Sequence, residues 1–95
     1  MSPRKTRVIE NSLLDKGFRV DSTHHEMFWL YFNGKKTSIR TRLSHGKEEY
    51  GDKLLGRMAV QLKLRRKQLD LLIDCPLDGE GYAQILTDAG YLKPR

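Results

Sequence analysis

The Asn33-Gly34 dipeptide, which stands between two runs rich in strand-forming residues, constrains this fold more than any other feature. Asn-Gly favours a two-residue turn with positive φ at both positions, and such a turn joins two antiparallel strands into a hairpin. A turn of fixed length also sets the register between the strands. The expected cross-strand pairs are Phe32 with Lys35, Phe28 with Ile39, and His24 with Leu43.

The predicted hairpin has two chemically different faces, because side chains alternate along a strand. The apolar face, which is expected to meet the core, carries Phe28, Leu30, Phe32, Ile39 and Leu43. The other face carries Met27, Trp29, Tyr31, Arg40, Arg42 and His25. His24 and His45 are expected side by side at the open end of the hairpin, so all three histidines gather at one end of the sheet.

The composition describes one basic domain. With 95 residues, of which 38% are hydrophobic, the chain can bury a modest core, which excludes wholesale disorder. The net charge of +6 favours nucleic acid as a partner over a role in solubility alone, and its spread along the chain favours a folded basic surface over a disordered arm. The single Cys75 excludes an internal disulfide framework. Without a long apolar run or a signal-peptide pattern, the expected location is cytoplasmic, with no membrane partner.

Helix signals on both sides of the hairpin predict an α+β domain. Ser2 and Pro3 begin a first helix that Gly17 ends, and Val8, Ile9, Leu13 and Leu14 form its apolar stripe. A short strand at residues 18–20 completes a three-stranded antiparallel sheet, and residues 46–51 form a loop. Residues 52–73, beginning with Asp52 as a cap, are one bent helix or two, and a last helix runs from Asp78 to Gly90.

The histidines are the candidate catalytic residues, since histidine titrates near neutral pH. A metal-independent ribonuclease needs a base for the RNA 2′-hydroxyl, an acid for the leaving oxygen, and cations for the phosphate. His24 and His45, near Arg40 and Arg42, have the residue types for these parts. The alternatives are three structural or surface histidines, or a zinc site completed by Glu26. No metal or other cofactor is predicted.

The polar face of the hairpin and the basic run at residues 65–67 are the candidate RNA-binding surfaces. Aromatic residues beside cations on an open sheet stack bases and bind phosphates, whereas the same face would belong to the core if a helix covered it. The expected RNA contacts are His25, Trp29, Tyr31, Arg40, Arg42, Arg65, Arg66 and Lys67. The run Arg65-Arg66-Lys67 is equally well interpreted as a solvated helix face.

Two parts of the chain, residues 8–32 and 78–90, resemble the HicA toxins. The similar motifs are residues 13–18 (LLDKGF), 22–25 (STHH) and 82–90 (YAQILTDAG). The resemblance implies an mRNA interferase with a fold like a double-stranded RNA-binding domain (dsRBD): helix, three-stranded sheet, helix. It implies that His24 is the catalytic residue and that a HicB-like antitoxin is a partner. Three departures are the Ser22-Thr23 in place of Gly-Ser, Leu43 in place of a proline, and the inserted helical segment 46–77.

The sequence therefore predicts a single dsRBD-like domain over residues 1–95 that binds RNA and acts as a HicA-like endoribonuclease. One alternative is a binding module with the same fold that binds structured RNA without cutting it. The other is a helix-turn-helix at residues 52–73 that presents Arg65, Arg66 and Gln68 to the major groove of DNA.

Overall fold

The computed structural model describes residues 3–21, 26–44, 46–74 and 76–92. In chain order the elements are β1 (Arg4–Lys5), α1 (Thr6–Asp15), β2 (Phe18–Asp21), β3 (Glu26–Phe32), β4 (Lys35–Leu43), β5 (Glu49–Tyr50), α2 (Asp52–Gln61), α3 (Arg66–Asp74) and α4 (Gly79–Asp88). Strands β2, β3 and β4 form an antiparallel sheet with β3 in the centre, and β1 pairs with β5. The predicted α+β class, with a helix before a three-stranded antiparallel sheet and helices after it, is confirmed.

The hairpin turn forms where the sequence predicts it. Asn33 and Gly34 have φ angles of 53° and 77°, which are the positive values that a two-residue hairpin turn requires. Phe32 pairs with Lys35 across this turn, as expected.

The register changes farther along the hairpin, because β4 contains a bulge. Only Leu30 lies between the paired residues Trp29 and Tyr31, whereas residues 37–39 lie between their partners on β4. The Thr37 hydroxyl donates to the carbonyl of Leu30 at 2.7 Å and accepts from the Ile39 N–H at 3.2 Å. The Thr37 side chain thus supplies hydrogen bonds where the bulge interrupts those between the backbones.

Two of the predicted cross-strand pairs are therefore wrong. Phe28 pairs with Thr41 instead of Ile39, and Leu43 pairs with Glu26 instead of His24. The shift amounts to two residues, and a shift by an even number keeps every side chain on its predicted face. Phe28, Leu30, Ile39 and Leu43 are accordingly buried, and Phe32 is partly buried against the core.

Helices close the core on the apolar face of the sheet. The buried residues of the core come from β2, β3 and β4 and from all four helices, including Ile9, Leu55, Leu69 and Tyr82. The Phe18 ring stacks on the Tyr82 ring with centroids 6.0 Å apart, and the Tyr82 hydroxyl donates to the Leu62 carbonyl at 2.8 Å. Tyr82 thereby joins α4 both to the sheet and to the end of α2.

The first helix is shorter than predicted. It starts at Thr6 instead of Pro3, because Arg4 and Lys5 are extended and pair with the β5 strand inside the predicted loop 46–51. The Thr6 N–H donates to the Glu48 carbonyl and its hydroxyl donates to the Lys47 carbonyl. These two hydrogen bonds keep the backbone extended up to the start of the helix. Gly17 ends the helix with φ 100°, as predicted.

The apolar stripe of α1 is also narrower than predicted. Ile9 and Leu13 are fully buried, whereas Val8 and Leu14 are 44% and 45% exposed. Ser12 takes a buried position instead, and its hydroxyl donates to the carbonyl of Ile73 in α3 at 2.8 Å.

Residues 52–73 form two helices, which settles the choice that periodicity left open. Lys63 turns the chain between α2 and α3 with a φ of 62°, a conformation that glycine usually provides. Gly51, and not Asp52, is the N-cap of α2. Asp78 caps α4 as predicted, because its carboxylate accepts the Gly81 N–H at 2.7 Å.

Within the described ranges, no helix combines the length and the apolar character that crossing a membrane would require.

Candidate nucleic-acid interface

The sheet face opposite the core remains open to solvent. Arg40, Arg42 and Lys36 of β4 are exposed there, and the rings of Trp29 and Tyr31 on β3 are only partly buried. Arg19 of β2 joins the same face, because it pairs with Trp29. The interpretation of this face as part of the core is therefore excluded, and the aromatic residues and the cations share one accessible surface, which we call the open face.

Cations lie over both aromatic rings of the open face. Lys36 Nζ lies 4.0 Å from the centroid of the Trp29 ring, and Arg40 Cζ lies 5.0 Å from the same centroid. Arg19 Cζ lies 4.4 Å from the centroid of the Tyr31 ring. A ring attracts a cation with roughly 0.5–1 kcal/mol at an exposed site. The rings thus hold the cations in a defined array on the sheet.

The bulge in β4 brings Arg40 to this array. Without it, the register set by the turn would place Ser38 opposite Trp29; with it, Arg40 stands there and Arg42 stands opposite Met27. Because residues directly opposite each other on an antiparallel pair lie close together, the bulge adds Arg40 to Lys36 as a second cation over the indole. Asp21, at the end of β2, is the acidic residue of this face in the part of the chain described.

A groove follows the outer edge of β4, where no described strand pairs with it. The groove has a volume of about 700 Å³ and runs between β4 and α2. Its cationic lining residues are Arg40, Arg42, Lys47, Arg57 and Lys63. Lys47, Arg57 and Lys63 were not predicted as site residues. They come from the loop, from α2 and from the turn after it, so only the packing of the segment 46–77 beside β4 reveals them.

The predicted catalytic centre lies outside the described residues. This holds for His24 and His45, the expected base and acid, and also for His25, an expected RNA contact. Glu26, the carboxylate of the zinc alternative, lies at the start of β3 and is half-buried. Among the described residues, no three His, Cys, Asp or Glu side chains form a group that would hold a metal ion. The catalytic roles of His24 and His45 stay predictions.

The basic run at the start of α3 lies apart from the sheet, because α3 packs on α1 and α2. Arg66 binds two carboxylates of the protein itself, Asp52 at 2.6 Å and Asp70 at 3.4 Å. Arg65 and Lys67 are exposed. Asp70 also lies 3.4 Å from Arg4, whose guanidinium donates to the Asp74 carboxylate at 2.8 Å.

The α3 helix itself contains two basic side chains, Arg66 and Lys67, and two acidic ones, Asp70 and Asp74. A helix that enters the major groove of DNA needs an excess of positive charge against the phosphates. The charges of α3 therefore favour the open face over the helix-turn-helix as the nucleic-acid surface.

Comparison with known proteins gives no match to this chain, whether among protein-family models, curated proteins or solved structures.

Proposed function

We propose that this protein binds RNA through the open face of its sheet. The observation that carries the proposal is the array of Arg19, Lys36 and Arg40 held over the Trp29 and Tyr31 rings. Ordering a flexible cation on binding costs side-chain entropy, and a cation that already rests on a ring has lost part of it beforehand. Phosphate is the anion that such an array suits, since a guanidinium binds it through two parallel N–H groups.

The open face suits unpaired nucleotides better than a duplex. It is the side of a three-stranded sheet, and single-stranded RNA spreads its bases over such sheets and stacks them on aromatic rings or guanidinium planes. Arg19 Cζ lies 4.4 Å from the Tyr31 centroid and Arg40 Cζ lies 5.0 Å from the Trp29 centroid, so each ring of the open face has a guanidinium beside it that could contact a base or a phosphate.

The proposal includes cleavage, on the strength of the resemblance to the HicA toxins. That resemblance places a catalytic histidine at position 24, two residues before the start of β3. A histidine there would take the proton of a 2′-hydroxyl, while the cations of the open face hold the neighbouring phosphate. The same resemblance makes a HicB-like antitoxin the expected protein partner, and the sequence pattern makes the cytoplasm the expected location.

The binding proposal is tested by salt-dependent titration of labelled oligonucleotides, with fluorescence anisotropy as the readout. Log affinity for single-stranded RNA should fall linearly with log salt, by about 0.7 for each phosphate neutralised. In the variant Arg40→Ala/Arg42→Ala the slope should therefore be smaller by about 1.4. Trp29 is the only tryptophan of the chain, so its emission reports whether RNA reaches the open face.

Two results would contradict this proposal. An unchanged slope in Arg40→Ala/Arg42→Ala would remove both residues from the interface. Tighter binding of duplex DNA than of RNA, lost in Arg65→Gln/Lys67→Gln, would move the site to α3 and support the helix-turn-helix.

Cleavage is tested with His24→Ala in the presence of EDTA. If His24 acts in acid–base catalysis, the variant should cut RNA about 10²–10⁴-fold more slowly, while its melting temperature and its RNA affinity stay close to wild type. The wild-type product should end in a cyclic phosphate, because the 2′-oxygen is the nucleophile. A folded His24→Ala protein that cuts at the wild-type rate would end the catalytic assignment. A wild type that binds but does not cut would support the binding module.

A further inference from the structure

We propose that the groove between β4 and α2 binds the sugar–phosphate backbone of the same RNA strand after it leaves the open face. This inference rests on the proposed function and extends it, because it assigns a second binding surface and a single-stranded substrate class. The groove and the open face share Arg40 and Arg42, which lie on β4 and line both surfaces. A strand lying across the sheet therefore meets the groove as it passes over the edge of β4.

The charge of the groove indicates an anionic occupant. Among the described residues, its lining contains five arginine and lysine residues and no aspartate or glutamate. The two walls come from separate elements, with Arg42 on β4 and Arg57 on α2, and Lys63 adds its charge after the end of α2. A cleft lined by one sign of charge concentrates the opposite charge more strongly than a flat surface does. Phosphates spaced along a chain satisfy all of these cations at once.

The neutral residues of the groove suit a ribose as well. Ser38 and Ser44 line it with hydroxyl groups, and the Gln61 side chain reaches it from α2. Gln61 is held in place by the Thr41 hydroxyl, which donates to its amide oxygen at 2.7 Å. A 2′-hydroxyl both donates and accepts hydrogen bonds, so these groups are suitable partners for RNA.

The size of the groove favours one strand. About 700 Å³ is the size of a ligand pocket, and its walls stand on both sides. A volume of this size is far smaller than a segment of duplex, so we expect a duplex to contact only the rim of the groove. The groove therefore lengthens the site for single-stranded RNA, and oligonucleotides longer than the open face should gain affinity from it.

The test measures the affinity of the full-length chain for a tetra-uridylate and for a dodeca-uridylate. Wild type is compared with the variant Arg57→Gln/Lys63→Gln. For the longer oligonucleotide the variant should bind more weakly, and its salt slope should be smaller than the wild-type slope by about 1.4. For the shorter one, which the open face accommodates, affinity should change little. The matched control is Arg7→Gln/Lys53→Gln, which removes the same charge from two exposed positions outside the groove.

The outcomes separate this inference from the proposed function. If wild type binds neither oligonucleotide, the proposed function fails, and the groove inference fails with it. If wild type binds both but Arg57→Gln/Lys63→Gln behaves like the control, only the groove inference is overturned. An acidic peptide such as hexaglutamate that binds wild type more tightly than the dodeca-uridylate, and loses its affinity in the groove variant, would assign the groove to a protein partner instead.

Discussion

Lys63 combines two roles in one residue, because its backbone forms a turn and its side chain belongs to the surface of the groove. Its φ of 62° makes the turn between α2 and α3, the residue lines the groove, and its ammonium lies 5.5 Å from the centroid of the Tyr91 ring. A left-handed backbone costs a residue with a Cβ roughly 1–2 kcal/mol, whereas glycine adopts it without that strain. A lysine at this strained position therefore indicates that the side chain contributes something that glycine could not, namely its positive charge at the groove.

We expect substitutions of Lys63 to separate stability from binding. Lys63→Gly should raise the free energy of unfolding by about 0.5–1 kcal/mol relative to Lys63→Gln, because only glycine relieves the strained φ. Both variants should lose the same affinity for a long RNA, because both remove the charge. Urea denaturation and anisotropy on the same preparations check this. Equal stabilities of the two variants would show that the turn is unstrained.

At the scale of secondary-structure elements, the bulge in β4 determines the composition of the open face. The Thr37 hydroxyl is the group that replaces the missing ladder bonds there. If it is removed without a change of shape, the Leu30 carbonyl and the Ile39 N–H both lose a partner, and an unsatisfied group away from water costs about 1–3 kcal/mol.

Thr37→Val should therefore lower the free energy of unfolding by about 1–3 kcal/mol. It should also change the emission of Trp29, because Arg40 no longer stays opposite the indole. Thr87→Val is the control: it makes the same substitution in α4, where the hydroxyl bonds to the Ala83 carbonyl one turn back. That hydroxyl supplements a helix that is complete without it, so the effect should be below about 1 kcal/mol. Equal losses in both variants would contradict a special role for Thr37.

Local signals predicted the elements better than their pairing. Gly17, Asn33-Gly34, Asp78 and Gly90 each act at one position of the backbone, and all four behave as the sequence predicts. The bulge was missed because it depends on one hydroxyl that reaches across the hairpin. The β1–β5 pair was missed because extended segments far apart in the chain find each other only in the folded molecule.

The candidate site shows the same limits. The shared face of Trp29, Tyr31, Arg40 and Arg42 follows from the period of a strand, and the structure brings these four together. Arg19 was missed because the sequence does not reveal how a strand as short as residues 18–20 pairs with its neighbour. The groove residues were missed because nothing in the sequence shows that α2 packs beside the edge of β4.

On the scale of the whole molecule, Arg4 ties the N-terminal segment to α3. Its guanidinium donates to Asp74, and Asp70 lies next to it. The hydrogen bond from Arg4 lowers the pKa of Asp74 and raises that of Arg4 itself. Because the folded pKa of Asp74 is depressed, its contribution to stability is present above the pKa of an unfolded aspartate, near 4, and is lost as the pH falls through the folded pKa.

We expect Asp74→Asn to lower the free energy of unfolding by roughly 0.5–1 kcal/mol at pH 7, a modest value because the Asp74 side chain is 49% exposed. The difference from wild type should shrink as the pH falls below about 4. Asp88→Asn is the control, since it makes the same substitution at a carboxylate that accepts from the neutral Gln84 amide. Urea titrations across this pH range test the sign, and a difference that grows in acid would contradict it.

The contacts of the N-terminal segment also set an order of events during protein synthesis. Lys5 can pair with Glu49 only after Glu49 has been synthesised. In the same way, Arg4 can contact Asp70 and Asp74 only after the ribosome has added residues 66 and 70 positions beyond it. At about 5–20 residues per second, the ribosome adds Asp74 roughly 4–14 s after Arg4. The hairpin needs no such wait, because its strands are consecutive and a hairpin closes in microseconds. The hairpin can therefore form on the nascent chain before the contacts of Arg4 and Lys5 are made.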